Sequence, residues 1–422
     1  MTIEPKRIMN KIQFDQTHQI IEHAIENKMA HVTMEDVNFQ GNNIQLEGET
    51  LKGFIFCDYM GLSTDKRLIE ASQHAAAKYG VFTSVSRSYI KLGLYEEVEH
   101  LMERIFGQPV ILISRTSLGH LAALPVITDR EDAILLDHYV HTSVRNAADM
   151  LKGYGNHVET IRHNNMNLLE QRIRDLRSKH RRIWYLVDGV YSMQGDTLPA
   201  EPLNDLLNRY PPFHLYVDDA HGMSWSGEYG RGFTLDRMGY HPQMFLITSL
   251  AKGFGSGGSV LVCRDEQIKK KILAAGAPLV FSGPLAPPAL GAIKASARIH
   301  LSGEITRKQN RLQHLTDHFM EVAGKLQLPL IAKNNSPIFF VPTGKPDMCT
   351  RVAIRMKKHG FFVTGGVYPA VPYHASGIRP IISLYHDPQD IEQFLTALNE
   401  EMNRELKENN LSYELLLKHY KG

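Results

Sequence analysis

Cysteine is scarce in this 422-residue chain: Cys57, Cys263 and Cys349 are odd in number and far apart, so they form neither a disulfide framework nor a metal set. Three scattered thiols fit a reducing compartment. Charge of one sign is not in excess either. Lys and Arg total 47 against 45 Asp and Glu, and a formal net charge of +2 supplies no basic face for nucleic acid. No run approaches the ~18 consecutive apolar residues of a membrane span, and the opening Met1–Gln16 stretch lacks the apolar core of a secretory signal. Internal repeats and low-complexity linkers are missing as well. These absences lead us to expect a protein of the cytoplasm, with no transmembrane segment, nucleic-acid partner or bound metal.

What is present is globular: 43% hydrophobic and 22% charged residues, in a chain too long for one ordinary core. Residues 1–50 read as an N-terminal arm, with a helical pattern over Thr17–Ala30 and then polar, turn-rich sequence; it has too little apolar surface to fold alone and is expected to lie across a partner. A short apolar strand at Phe54–Cys57 leads into the main body. From there, helical spacing at Lys66–Tyr79, Tyr95–Phe106, Leu118–Thr128 and Ser143–Lys152 alternates with apolar runs at Pro109–Ser114, Asp132–Asp137, Arg182–Asp188, Leu215–Asp218, Phe245–Thr248 and Gly258–Cys263. Near-continuous apolar strands separated by helices predict an α/β fold with a mainly parallel central sheet covered on both faces. After Pro288 a long helical stretch, about Ala289–Leu326, leads to strands at Pro337–Val341, Phe361–Val363 and Arg379–Leu384 and helices at Met348–His359 and Pro388–Leu406. The domain reading is therefore 1–50 arm, 51–288 large domain and 289–422 smaller C-terminal α+β domain.

Two strand ends carry the chemistry. Lys252 follows the apolar run Met244–Thr248 and is trailed by Gly253, Gly255, Gly257 and Gly258, a setting in which a desolvated amine becomes nucleophilic. Asp218 ends a second apolar run, Phe213–Val217, where it can hold a cationic ring nitrogen. A Schiff-base lysine and a ring-nitrogen carboxylate are the minimal apparatus for pyridoxal 5'-phosphate, and open α/β sheets collect ligands at such strand ends.

In chain order the motifs are Ser86-Arg87 through Gly93, Asp137-His-Tyr-Val-His141-Thr-Ser143, Asp188-Gly189-Val-Tyr-Ser192-Met-Gln-Gly195-Asp196, Asp218-Asp-Ala-His221-Gly222, Gly227-Glu-Tyr-Gly230-Arg-Gly232, Ser249-Leu-Ala-Lys252-Gly253-Phe254-Gly255, and Arg379 behind Tyr368–Pro372. This series resembles the α-oxoamine synthase family of fold-type I PLP-dependent enzymes over about residues 50–400. The resemblance implies that Lys252 is the Schiff-base residue and later the proton carrier, that Asp218 pairs with the pyridine nitrogen, that His221 contacts the cofactor's 3-hydroxyl and that His141 stacks on the ring. It implies a phosphate site made by Thr116, Ser117 and Leu118 at a helix N-terminus and by Ser249, with Ser282 and Gly283 reaching the neighbouring subunit's phosphate. Arg379 matches the carboxylate grip for the amino acid substrate, and Ser192 lines the same site.

The implied activity is condensation of an amino acid with an acyl thioester, on CoA or an acyl-carrier protein, with loss of CO2, in a homodimer. Aminotransferase chemistry on the same fold remains open, since Asp218 and Lys252 serve it equally well. A catalytically idle partner subunit is a third reading, disfavoured by retention of Lys252, Asp218, His221 and Arg379. Departures from the family pattern fall around Cys57-Asp58, in the bulkier Tyr79–Val85 segment, in Thr116-Ser117-Leu118 where several members have Ser-Gly-Phe, and at Asp188-Gly189 where the family has Glu-Gly. Cofactor chemistry thus reads as intact and the substrate pockets as remodelled.

Overall fold

The computed structural model describes residues 11–37, 39, 41–332 and 336–420, so residues 1–10 of the expected arm lie outside the described residues. The chain divides into two compact units, one of residues 57–192 and 196–313, the other of residues 1–56, 193–195 and 314–422. It opens with helix α1 (Lys11–Glu26) and a hairpin of β1 (Asn43–Leu46) and β2 (Glu49–Gly53). Glu47 and Gly48 turn this hairpin with φ of 57° and 81°. No strand forms at Phe54–Cys57, where one was expected; the nearest, β2, ends at Gly53. The two consecutive left-handed residues of the turn make a hairpin from sequence that reads only as polar and turn-rich.

In the larger unit α2 (Lys66–Tyr79), α3 (Gly93–Phe106), β3 (Val110–Ile113), α4 (Thr116–Ile127), β4 (Ala133–Asp137), α5 (Thr142–Gly153), β5 (His157–Ile161), α6 (Met166–Leu176), β6 (Ile183–Asp188), α7 (Ala200–Arg209) and β7 (Phe213–Asp218) alternate. Then come α8 (Phe233–Met238), β8 (Met244–Ser249), β9 (Ser259–Val262), α9 (Glu266–Ala275), α10 (Ala277–Phe281), α11 (Pro287–His300) and α12 (Glu304–Lys325), the last running on past the unit's end at Gln313. One seven-stranded sheet has the order β3-β9-β8-β7-β6-β4-β5. Neighbours from β8 to β5 are parallel, and only β9 runs antiparallel, to both β3 and β8.

Strand parity explains the continuous apolar runs. On β6, Ile183, Tyr185 and Val187 belong to one core cluster while Trp184 and Leu186 belong to a second; on β7, Phe213, Leu215 and Val217 join the first and Tyr216 the second. A strand buried on both faces has no polar position to give, and each fully buried large side chain contributes roughly 1.5–3 kcal/mol. Helices α4 and α5 cover the second face, contributing Ala122, Ala123, Leu124, Val144 and Ala148.

The single long helix expected over 289–326 is in fact two, α11 and α12, interrupted at Leu301-Ser302-Gly303. The Ser302 hydroxyl donates to the Ile299 carbonyl and accepts from the Glu304 N–H, so a side chain closes one helix and opens the next.

The smaller unit adds β10 (Val341–Gly344), α13 (Pro346–Lys358), β11 (Phe361–Phe362), β12 (Gly365–Gly366), β13 (Ser376–Ile378), α14 (Pro388–Glu408) and α15 (Tyr413–Leu417). It holds two three-stranded sheets, β1-β2-β11 and β10-β13-β12. Phe54 stacks on Phe394 with ring centroids 4.0 Å apart, and Phe361 packs edge-on against both. The strand expected at Arg379–Leu384 lies instead at Ser376–Ile378, with Ile381 making only an isolated bridge to Ile338. Pro380, without an N–H, cannot extend the ladder.

A partly buried ion cluster ties the β4 end of the sheet to the loops beyond it. His163 bridges two carboxylates, Nδ1 to Asp137 at 2.8 Å and Nε2 to Asp196 at 2.7 Å, while the Tyr185 hydroxyl donates to Asp137 at 2.8 Å. Burial opposes the imidazolium, but hydrogen bonds to Asp137 and Asp196 outweigh it and raise His163 to about 9. Because this folded value lies above the unfolded ~6.5, the contribution is complete below pH ~6.5 and is lost as pH rises through about 9; it is on the order of 3 kcal/mol. Urea melts of the parent and His163→Gln should therefore differ most near pH 6 and converge toward pH 10. A gap constant across that window would mean that His163 is not held charged.

Candidate active site

Parallel strands β4, β6, β7 and β8 finish at one edge of the sheet, and each finishes on a polar residue: Asp137, Asp188, Asp218 and Ser249. Register places Asp188 beside Asp218, and Asp218 beside Ile247. At these ends a cavity of about 200 Å³ is lined by Thr116, Ser117, His141, Asp218, His221, Ser249 and Lys252, together with Arg115, Ser143, Asp188, Val190 and Ala220. Residues spread over more than a hundred positions of sequence thus meet in one place.

Asp218 is 5% exposed. One carboxylate oxygen accepts the Ala220 N–H at 3.1 Å and the other pairs with His120 Nε2 at 3.1 Å. Burial favours its neutral form, yet the hydrogen bond from His120, with the attraction of the neighbouring Lys252, holds it below the usual carboxylate range. Its neighbours behave oppositely. Burial, reinforced by the charge of Asp218, pushes Asp188 well up, and burial brings Asp219 to about 7. Three adjacent carboxyls are therefore separated into one anion and two groups biased toward the acid form, the arrangement that lets one charge be placed without a like-charge clash.

The remaining walls are set locally. His221 Nδ1 lies 2.6 Å from the buried Tyr59 hydroxyl. His141 caps α5 through Nδ1, which accepts the Ser143 N–H at 3.3 Å; the His141 backbone N–H donates to Asp188 at 3.1 Å. Desolvation by the cavity walls lowers the His141 pKa, against the pull of Asp218. At the N-terminus of α4, Arg115 stands as N-cap with no side-chain cap hydrogen bond, so the first N–H groups of the helix face the cavity region without a capping oxygen. Lys252 is partly buried in the turn after β8, and Gly255 in that turn has φ of 74° with a Cβ position 2.4 Å from Leu62, where no other residue fits.

Other expected residues fall around this centre in different ways. Leu118 belongs to the same first turn of α4, and Ser192 follows Val190 by two residues; neither lines the cavity. Ser282 and Gly283 lie just after α10, where the Ser282 hydroxyl donates to Pro278 and Gly283 abuts the Phe82 ring. Arg379 belongs to the smaller unit, half-buried directly after β13, with its N–H donating to Thr364 at 3.0 Å. Sequence reasoning missed His120, Tyr216, Tyr59 and Arg115. Two of these had a signal: Tyr216 precedes Asp218 by two on a strand and so shares its face, and His120 follows Thr116 by four on a helix. Tyr59 had none, because its partner is 162 positions away.

A family model described as aminotransferase class I and II matches residues 58–398. The chain is similar to the 8-amino-7-oxononanoate synthase of Saccharophagus degradans, 31% identical over 376 residues that cover 86% of this chain and 90% of that one. It is also similar to the enzyme of that name from Alkaliphilus metalliredigens, 26% identical over 83% of this chain and 87% of the relative. Among solved structures, a serine palmitoyltransferase from S. paucimobilis with a bound PLP–myriocin aldimine superposes with a TM-score of 0.85 at 21% identity, covering 94% of this chain and 99% of that one, and so shares the fold.

The Asp219 carboxyl is gripped by glycines: a Cβ on Gly189 or Gly222 would lie 2.1 Å from its Oδ1, while Oδ2 accepts the Thr234 N–H at 2.9 Å. Gly222→Ala should therefore cost about 1–3 kcal/mol by overpacking, seen as a lower thermal midpoint. Combined with Asp219→Ala, which removes the obstructing oxygen, the loss should be less than additive. Strict additivity would show that the clash is relieved elsewhere.

Proposed function

The chain belongs to the aminotransferase class I and II family, among its α-oxoamine synthases, and we propose that it uses pyridoxal 5'-phosphate to condense an amino acid with an acyl thioester, releasing CO2 and free thiol and leaving an α-amino ketone. The observation that carries this reading is the meeting of Lys252, Asp218, His221 and His141 with the α4 N-terminus around one cavity. The residues suit the cofactor by their chemistry: an amine, a buried carboxylate held ionised, two imidazoles, and a helix start whose N-cap leaves its N–H groups to an anion.

When bound, the cofactor supplies an electron-withdrawing ring that stabilises negative charge at the substrate α-carbon. The protein's share is placement and proton movement. Lys252 would hold the cofactor and take the α-proton. Asp218 would keep the ring nitrogen protonated, and His141 would hold the ring by stacking. His221, which Tyr59 contacts at 2.6 Å, would bind the 3-hydroxyl. Thr116, Ser117, Leu118 and Ser249 would receive the phosphate. Arg379 grips the amino acid carboxylate as a bidentate cation, with Ser192 beside the substrate. In the net reaction one C–C bond forms as the C–S bond breaks, and the bond to the carboxyl carbon breaks as CO2 leaves.

Ser282 and Gly283 act toward a second copy in a homodimer. Val81, Phe82, Tyr89, Ile90 and Phe281 are all exposed, and their segments meet where Ser86 donates to Val280 and Phe82 packs on Gly283. Such an apolar patch suits a partner surface. Among the described residues no helix is long and apolar enough to cross a membrane, and the cytoplasm, where thioester donors are made, is the proposed location.

The test supplies small amino acids with CoA and carrier-protein thioesters of graded length and follows thiol and CO2 together. Equal release of both is expected; conversion of the amino acid to its keto acid with the thioester untouched would make the protein an aminotransferase. Borohydride reduction followed by peptide mapping should place the cofactor on Lys252 and on no other lysine. Arg379→Ala should raise the KM for the amino acid roughly a hundredfold while cofactor content stays unchanged, from loss of a charge-assisted pair worth about 2–3 kcal/mol. An unchanged KM would remove Arg379 from the carboxylate site.

A further inference from the structure

Behind Asp218 runs a chain of polar side chains that the proposed reaction does not use. His120 sits one turn inside α4 and is 0% exposed. Its Nε2 lies 3.1 Å from Asp218 Oδ2 and its Nδ1 lies 3.0 Å from the hydroxyl of Tyr216, also 0% exposed. Tyr216 and Asp218 are on one face of β7, the face that α4 covers. Close packing brings the helix near enough: a Cβ on Gly119 would stand 2.2 Å from Ile247 Cδ1, so α4 is pressed onto β8 beside this chain.

The polarity of the chain follows from its members. Burial, and then the charge of Asp218, push Tyr216 well above its ordinary range, so its hydroxyl keeps its proton. An imidazole placed between a protonated phenol and a carboxylate has one arrangement that serves both partners. Tyr216 O–H donates to Nδ1, and Nε2–H donates to Asp218. With Ala220 N–H on the other oxygen, both carboxylate oxygens are held from the protein side, and the plane of the group is set before any ligand arrives.

We propose that His120 is a positioning residue for the condensation, acting with Tyr216 to fix Asp218 as an oriented anion and so to set how firmly the cofactor's ring nitrogen is held protonated. The inference rests on the function proposed above. Other groups facing Asp218 are Asp188 on the neighbouring strand, His141 before α5 and Lys252 after β8. His120 bonds both Asp218 and a second buried side chain, so it can fix the orientation of the carboxylate as well as its charge. A purely structural histidine would predict loss of stability alone. A positioning histidine predicts a change in the cofactor.

The experiment compares His120→Gln, His120→Phe and Tyr216→Phe with the parent, each purified with cofactor. Gln keeps an N–H donor close to the Nε2 position; Phe removes it. Parent protein that shows no cofactor absorption at all would overturn the proposed function itself, independently of His120. Given a coloured parent, His120→Phe should lower kcat about a hundredfold with little change in the KM for the amino acid, as expected when stabilisation of the transition state alone is weakened. Cofactor released from this variant and titrated back should bind about tenfold more weakly. The pH midpoint of the visible absorption should move upward, because a ring nitrogen held less firmly protonated withdraws fewer electrons from the conjugated nitrogen at Lys252. His120→Gln should recover most of each effect, and Tyr216→Phe should shift the midpoint in the same direction by less. Should His120→Phe fail to fold, His120→Gln and Tyr216→Phe carry the comparison. Parent-like midpoints and cofactor affinities in every folded variant would refute the positioning role.

Discussion

The arrangement of this protein turns on a carboxylate that must remain ionised where water is scarce. A buried Asp normally protonates, because charge is costly to desolvate. Asp218 avoids this through two fixed donors, the Ala220 N–H and His120, and through the attraction of Lys252. The cost is met in the surroundings. Asp188 and Asp219 are adjacent in space or sequence and are both shifted toward the acid form, so of these three neighbouring carboxyls Asp218 is the one held as the anion.

The parallel sheet makes that arrangement reproducible. Strands β6 and β7 are in register from Ile183 with Phe213 to Asp188 with Asp218, so two apolar runs of equal length deliver two carboxyls to the same edge. The helix that supplies His120 also supplies the N-terminus proposed to take the phosphate. One rigid element therefore governs both ends of the proposed cofactor site. A displacement of α4 would disturb the anion site and the Asp218 hydrogen bond together, which is why the close approach at Gly119 matters to chemistry as well as to packing.

Much of this was legible in the sequence, for a physical reason. Runs such as Ile183-Trp-Tyr-Leu-Val-Asp188 state their own burial, and a polar residue that terminates one marks the sheet edge; Asp218 and Lys252 stand out that way, His221 and Ser249 by family resemblance, and the four line one cavity. Elements fixed by local backbone detail were less legible. The Glu47-Gly48 hairpin, the Ser302 interruption and the shift of a strand from Arg379 to Ser376 each depend on a turn or a single missing donor that periodicity does not register. Partnerships over long separations were illegible altogether: Tyr59 with His221, and His163 between Asp137 and Asp196, appear only when the chain is folded.

The central claim is that Asp218 is an anion that keeps a bound ring nitrogen protonated. Nitrogen-15 NMR of the protein loaded with cofactor labelled at the ring nitrogen measures this directly. The account predicts a pyridinium-like shift that persists from acid through neutral to mildly alkaline pH, and its replacement by a neutral pyridine shift in Asp218→Asn. A neutral ring in the parent at neutral pH, or the same protonated ring in both proteins, would contradict it.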